Sequence, residues 1–342
     1  MSSQLLGSFI WCELLTTDPH AAEGFYTTVV GWKAAPFGND GTYTLFMAGE
    51  RPVAGLMTLP DEAKAQGAPP NWMMYLGTPN VDETAMRISQ RGGRVLRQPA
   101  DIPNGGRFAV VADPFGAAFG IFSPGPNSPM PPETPAVGDF SWFELYTPNP
   151  EGAWRFYETV FGWEKTSAMD MGDMGVYQMF GRGGGVPRGG IMKPPPGAPA
   201  AWQPYAMVKN AKAAAASAQS RGARIVIGPM EVPGGDWIAQ ATDPQGAMFA
   251  VHSLKSSSTS AASSARKSTA TTKKTAKPAA ARAAKGKAKP AKKAARKAAP
   301  ARRRSAAKKS RATTRRTSAK AAKKNRAKKK TATKKTIKPR KK

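Results

Sequence analysis

This chain of 342 residues has a single cysteine, Cys12. No intrachain disulfide can form, which suits a reducing compartment. Histidine is nearly as scarce, with only His20 and His252. A site built on three imidazoles is therefore excluded. No run of about 18 apolar residues occurs, so the pattern of a membrane-spanning helix is missing. The opening residues MSSQLLGSFIW lack the basic segment and apolar core of a secretory signal. From Ser253 to Lys342 there is no acidic residue, no aromatic residue and no methionine.

That last stretch instead carries 35 of the 52 Lys and Arg residues. All 22 acidic residues precede it, so a mildly acidic front part is joined to a very basic tail. The tail is Lys/Ala/Thr/Ser low complexity. Its apolar content is too small to offset chain entropy, which predicts disorder in isolation.

The front part is written twice. FIWCELLTTDPHAAEGFYTTVVGW (Phe9 to Trp32) matches FSWFELYTPNPEGAWRFYETVFGW (Phe140 to Trp163). Trp72 matches Trp202, RGGRV matches RGARI, and ADPFGAAF (from Ala112) matches TDPQGAMF (from Thr242). A proline-rich stretch separates the copies. The chain thus divides into a first domain over 1–123, an extended linker over 124–135, a second domain over 136–254 and the tail over 255–342.

Each copy can be parsed locally. Phe9 to Thr16 alternates with bulky residues, which predicts a strand. Asp18-Pro19 and Asn149-Pro150 each offer a helix N-cap followed by proline at the first helical position. Ala22, Phe25, Tyr26 and Val29 then recur at helical spacing. Tyr43 to Gly49 and Val53 to Leu59 predict a hairpin. The pattern restarts with a strand at Trp72 to Thr78, a helix near Val81 to Arg91, and strands near Arg94, Phe108 to Ala112 and Ala117 to Phe122. DPFG and DPQG are turn sequences. Each copy reads as βαβββ followed by βαβββ, an α+β fold.

The strand, the helix with FY and GW, the second helix ending in RGG, and DPxG before the last strand resemble the vicinal oxygen chelate superfamily. That superfamily includes glyoxalase I, extradiol dioxygenases, and bleomycin and fosfomycin resistance proteins. The resemblance covers residues of roughly 7 to 253, in two tandem domains. It implies paired βαβββ modules curled into a mixed-sheet cleft. In metal-using members, His and Glu ligands come from the first, fourth, fifth and eighth strands. The corresponding positions here are Trp11, Gly55, Met73 and Gly120 in copy one, and Trp142, Gly190, Gln203 and Ala250 in copy two. Only Gln203 among them offers a donor atom. No metal and no cofactor is therefore expected. A rebuilt site using Glu13 or Glu144 with His252 is the less favoured alternative.

Strand residues two apart share a face. That rule nominates Trp11, Glu13, Met73, Tyr75 and Phe122 as the lining of the first cleft. It nominates Trp142, Glu144, Gln203, Tyr205 and His252 for the second. The surface is mainly aromatic and apolar with a few polar groups, as small-molecule pockets are. Core packing is an equally weighted account of the two tryptophans. A buried glutamate needs partners. Glu13, Glu144, Tyr205 and His252 are the candidates for acid/base work. Copy one has Phe122 where His252 stands, so a Glu144, Tyr205 and His252 triad would belong to one cleft only. Cys12 faces the other way and reads as a small buried residue.

The tail resembles the lysine/alanine-rich extensions of bacterial histone-like proteins. Dense unpaired charge predicts polyanion binding by counterion release. Without aromatics it cannot stack bases, so duplex DNA bound without sequence preference is the expected partner. The contacting residues would be Lys292, Lys293, Arg296, Lys297, Arg302, Arg303, Arg304, Lys308, Lys309, Arg315, Arg316, Lys328, Lys329 and Lys330. A membrane partner is disfavoured because large apolar residues are missing. The expected protein is cytoplasmic and nucleoid-associated, and binds a small organic ligand without metal. The alternatives are a glyoxalase- or dioxygenase-like enzyme and a structural nucleoid protein.

Overall fold

Sheet and helix elements follow the doubled pattern. The computed structural model describes residues 5–38, 41–103, 105–126, 128 and 130–255. The tail beyond Lys255, with every nucleic-acid contact assigned to it, lies outside the described residues. Copy one runs β1 (Phe9–Thr16), α1 (Pro19–Val29), β2 (Lys33–Phe37), β3 (Tyr43–Ala48), β4 (Arg51–Thr58), α2 (Asp61–Ala65), β5 (Asn71–Gly77), α3 (Val81–Gln90), β6 (Arg94–Ile102), β7 (Gly106–Ala112) and β8 (Ala118–Pro124). Copy two runs β9 (Phe140–Tyr146), α4 (Pro150–Phe161), β10 (Glu164–Asp170), β11 (Val176–Gly181), β12 (Gly189–Met192), β13 (Ala201–Met207), α5 (Ala211–Ser220), β14 (Arg224–Glu231), β15 (Trp237–Thr242) and β16 (Met248–Ser253). A 3-10 turn at Gly172–Met174 sits between β10 and β11. The short α2 is an element that the sequence pattern did not announce.

The predicted caps form. Asp18 accepts from the Ala21 N–H at 3.0 Å, and Asn149 from the Gly152 N–H at 2.9 Å. Each satisfies a donor the first helical turn would leave open. Helix α4 ends on Gly162 at φ +70°, a conformation glycine adopts without a Cβ penalty.

Each copy forms one eight-stranded mixed sheet. The orders are β2-β3-β4-β1-β5-β8-β7-β6 and β10-β11-β12-β9-β13-β16-β15-β14. β1 pairs parallel with β4, and β5 with β8. The antiparallel β1–β5 and β9–β13 pairs join the two modules of a copy at the centre of each sheet.

Alternation gives each sheet two different faces. Cys12, Leu14, Trp72, Met74, Leu76, Phe119 and Ile121 point to the helices. Trp11, Met73, Tyr75, Phe108, Val110 and Phe122 line the opposite face. The helical faces of both copies share one continuous core. Phe9 stacks on Phe143 at 3.7 Å, and Phe25 meets Phe249 edge-on at 5.5 Å.

Polar bonds inside that core also cross between copies. The Tyr26 hydroxyl donates to Asp243 at 2.9 Å and accepts from the Trp72 indole at 3.0 Å. Its counterpart Tyr157 donates to Asp113 at 3.2 Å and accepts from Trp202 at 2.9 Å. Trp32 donates to the Gly138 carbonyl at 2.8 Å, and Trp163 to the Gly7 carbonyl at 2.9 Å. The repeated FY and GW pairs therefore fasten one copy to the other. Burial pushes the Asp113 and Asp243 carboxyls up, against the hydrogen bonds that hold their charged forms.

Candidate functional site

The two outward faces carry the same construction. Glu13 and Glu144 sit midway along the central strands β1 and β9, and both are buried. In register beside them on the neighbouring parallel strands lie Gly55 and Gly190. A Cβ at Gly55 would overlap the Tyr43 hydroxyl, and one at Gly190 would overlap the Tyr177 ring. The glycines thus leave room for a tyrosine from the next strand to lie across the sheet.

Those tyrosines reach the glutamates. Tyr43 donates to Glu13 Oε1 at 2.7 Å, and Tyr75 donates to Oε2 at 3.0 Å. The Trp11 indole donates to the Tyr43 oxygen at 3.2 Å. Trp11 and Glu13, two residues apart on one strand, are therefore bridged by one phenol. In copy two Trp142 donates to Tyr177 at 2.8 Å, and Tyr177 bonds Glu144. Tyr205 donates to Glu144 Oε2 at 2.7 Å, and the Gln240 amide donates to the same oxygen at 3.1 Å. Tyr146 adds a further hydroxyl to that oxygen.

Burial pushes the Glu13 carboxyl above the ordinary glutamate range. The Tyr43 and Tyr75 bonds and the Arg97 charge oppose that rise. Burial and the adjacent carboxylates likewise push the Tyr43, Tyr75, Tyr177 and Tyr205 hydroxyls up, so these phenols stay protonated donors.

The clefts are not identical. The Arg97 guanidinium lies 4.9 Å over the Phe108 ring in copy one. By strand position its counterpart is Ile227, and Phe108 gives way to Ile238. Val110 and Leu15 in copy one are matched by Gln240 and Tyr146 in copy two.

The predicted lining residues are brought together in part. Trp11, Met73, Tyr75 and Phe122 share the first face with Glu13. In copy two Gln203 pairs in register with Glu144, and Tyr205 with Trp142. His252 departs from the expected triad. It does not pair with Glu144 or Tyr205. Its Nδ1 lies 2.8 Å from Ser141 Oγ, and its Nε2 lies 3.0 Å from Asp236 Oδ2. A bulge at Ser141 turns that side chain toward His252, which the two-residue rule cannot foresee. His20 is exposed in the first turn of α1. Cys12 is buried among the helix-facing residues, as read from the sequence.

Tyr43, Tyr177, Tyr146 and Gln240 were missed. A signal existed for the first pair, because the third strand of each copy carries one tyrosine near its start. Their role depends on the neighbouring glycines, which the sequence offers only as gaps.

The residues present do not suit the metal site of metal-using relatives. Trp11, Gly55, Met73 and Gly120 offer no imidazole, carboxylate or thiolate. The space above Gly55 and Gly120 is filled by Tyr43 and Tyr75. Among the described residues, no group of three His, Cys, Asp or Glu side chains is placed to hold a metal ion. No helix among them is long and apolar enough to cross a membrane.

The comparisons agree with this architecture. The model of the Glyoxalase/Bleomycin resistance protein/Dioxygenase superfamily matches residues 8–121 and again 139–251. The Mycobacterium tuberculosis protein named "Putative glyoxylase CFP32" is 34% identical over 248 residues, 70% of this chain and 92% of that protein. The Streptomyces peucetius "Anthracycline biosynthesis protein DnrV" is 29% identical over 272 residues, 75% of this chain and 96% of its own length. Two solved dioxygenases share the fold. LapB from Pseudomonas sp. KL28 superposes with TM-score 0.51 at 13% identity, covering 73% of this chain and 94% of that one. The 2,2',3-trihydroxybiphenyl 1,2-dioxygenase from Sphingomonas wittichii gives 0.51 at 12% identity, covering 72% and 89%. Two family matches, one on each eight-stranded sheet, identify the chain as a tandem member of the Glyoxalase/Bleomycin resistance protein/Dioxygenase superfamily.

Proposed function

We propose that each cleft binds a small aromatic ligand directly on its Glu–Tyr cluster, without a metal, and that the basic tail tethers the protein to duplex DNA. One observation carries the cleft reading. In both copies a glycine stands at a ligand position of the family, and a tyrosine fills the space and bonds a buried glutamate. A carboxylate ringed by phenol and amide donors can accept a ligand hydroxyl or exchange one donor for it. The surrounding Trp11, Phe108, Phe122 and Trp142 supply apolar area for a flat ring. The relationship to an anthracycline biosynthesis protein suggests a fused aromatic ring as a probe.

Titrating chelator-treated protein with an anthracycline, followed by tryptophan quenching, tests this. Saturable binding is expected, weakened roughly tenfold for each cleft by Glu13→Gln or Glu144→Gln, equivalent to about 1.4 kcal/mol. Binding that appears only after a divalent metal is restored would refute the metal-free reading. An acid/base role in a glyoxalase-type reaction is a second reading, favoured by the upward-shifted Glu13 carboxyl.

The tail reading rests on 35 basic residues unaccompanied by acid. Gel-shift titration over a salt series should give a slope of about −0.9 per phosphate neutralised. A chain ending at Leu254 should lose that binding. Equal binding by both chains would remove the tail from the account.

A further inference from the structure

Copy two carries a cluster that copy one lacks. Ser141 Oγ is 2.8 Å from His252 Nδ1, and His252 Nε2 is 3.0 Å from Asp236 Oδ2. The Lys255 N–H donates to Asp236 Oδ1 at 2.8 Å, which fixes the carboxylate. A carboxylate only accepts, so in neutral His252 it claims the Nε2–H. Nδ1 then presents a lone pair, and the Ser141 hydroxyl donates to it. This is the order nucleophile, base, orienting acid. Roles and distances define such a constellation, not which ring nitrogen faces the serine.

Backbone geometry places the serine. Tyr205 pairs with Trp142 and Ala206 with Phe140, so Ser141 is the unpaired residue of a β-bulge. Bulges of this kind re-aim side chains beside reactive sites. Ser141, His252 and Asp236 are all partly exposed, at the end of the cleft that holds Trp142.

The internal duplication supplies an independent comparison. Strand register equates Ser141 with Ile10 and His252 with Phe122, and position in the repeated sequence equates Asp236 with Gly106. All three polar members are present in copy two, and none is present in copy one. Three separate positions differ together, as expected of groups that work as one unit.

We infer that Ser141, His252 and Asp236 form a nucleophilic acyl-transfer site at the end of the second cleft, acting on small aromatic esters. Ser141 Oγ attacks the ester carbonyl carbon while its proton passes to His252 Nδ1. The C–O bond to the alcohol breaks, and the alcohol leaves with that proton. Water then gives a proton to His252 Nδ1 and adds to the acyl carbon; the bond from that carbon to Ser141 Oγ breaks, Oγ takes the proton back from His252, and the carboxylic acid leaves. The balance is ester plus water to acid plus alcohol, with no redox change. The inference does not depend on ligand binding over Glu144.

The full-length protein is to be treated with a fluorophosphonate serine probe and, separately, with 4-nitrophenyl acetate. One probe per chain is expected, mapped by peptide mass to Ser141, with release of 4-nitrophenolate. Ser141→Ala should abolish both. His252→Gln, which keeps the serine, should slow both by roughly 100-fold or more. Thermal melts of each variant separate loss of chemistry from loss of fold. Should Ser141→Ala not fold, the His252→Gln rate and the mapped position decide alone. Unlabelled folded wild type, a label elsewhere, or unchanged rates in His252→Gln would overturn the assignment. Anthracycline titration of the same samples reports the Glu–Tyr clusters separately, so the two readings can fail independently.

Discussion

Gly55→Ala is a small change with a large expected consequence. A methyl at this position would overlap the Tyr43 hydroxyl, so the tyrosine must swing off the sheet. Glu13 then loses its shorter hydrogen bond, at 2.7 Å, and keeps Tyr75 at 3.0 Å. The Trp11 indole loses its acceptor as well. A hydrogen bond to a charged group contributes about 1.5–3 kcal/mol. At about 2–4 °C per kcal/mol for a folded part of this size, the melting temperature should fall by roughly 3–12 °C. The measurement is a thermal melt at pH 8, followed by near-ultraviolet circular dichroism. Tyr43→Phe removes the same hydroxyl without the steric clash. If Gly55 exists to seat Tyr43, the two substitutions act on one bond. The double variant should then lose clearly less than the sum of the single losses. A Gly55→Ala loss within about 0.5 kcal/mol, or strict additivity with Tyr43→Phe, would refute the reading that tyrosine fills this position.

Two further outcomes follow from the geometry. Tyr26→Phe takes the acceptor from the buried Trp72 indole and a donor from Asp243, so stability should drop by about 2–4 kcal/mol. Because the bond crosses between copies inside a shared core, urea unfolding should remain one transition, and two separate transitions would contradict that core. Glu13→Gln tests the buried carboxyl through pH. The folded pKa lies above the unfolded one, so the native state binds more protons between them. That contribution is present in full below about pH 4.3 and is lost as pH rises through the folded value. Wild-type stability should therefore decline relative to Glu13→Gln from pH 4 to pH 8, and parallel curves would show that Glu13 does not titrate differently on folding.

The residues themselves explain why some features were legible in sequence and others were not. Asp18-Pro19 and Asn149-Pro150 announce helices because capping is local, decided within four residues. The two-residue strand period placed Trp11, Glu13, Met73 and Tyr75 on one face, and they share it. The same period failed at Ser141, where the bulge shifts the register by one. Tyr43 escaped notice because its role depends on an absent side chain on the next strand, at Gly55. The FY and GW motifs were visible as repeats, but their partners Asp243, Asp113, Gly138 and Gly7 lie in the other copy.

Sequence alone determined the duplication, the repeated βαβββ pattern within each copy, and the superfamily. These depend on residue identity and short spacing, which the chain carries wherever it goes. Tertiary structure decided that the two copies share one core, that Tyr43 and Tyr177 sit over Gly55 and Gly190, and that His252 joins Ser141 and Asp236 and not Glu144. Those outcomes depend on which strands lie side by side and which side chains leave room for another. Contacts such as Tyr26 to Asp243, 217 positions apart, or Tyr43 to Glu13, 30 apart, have no signature in the local sequence, so only the folded chain can specify them.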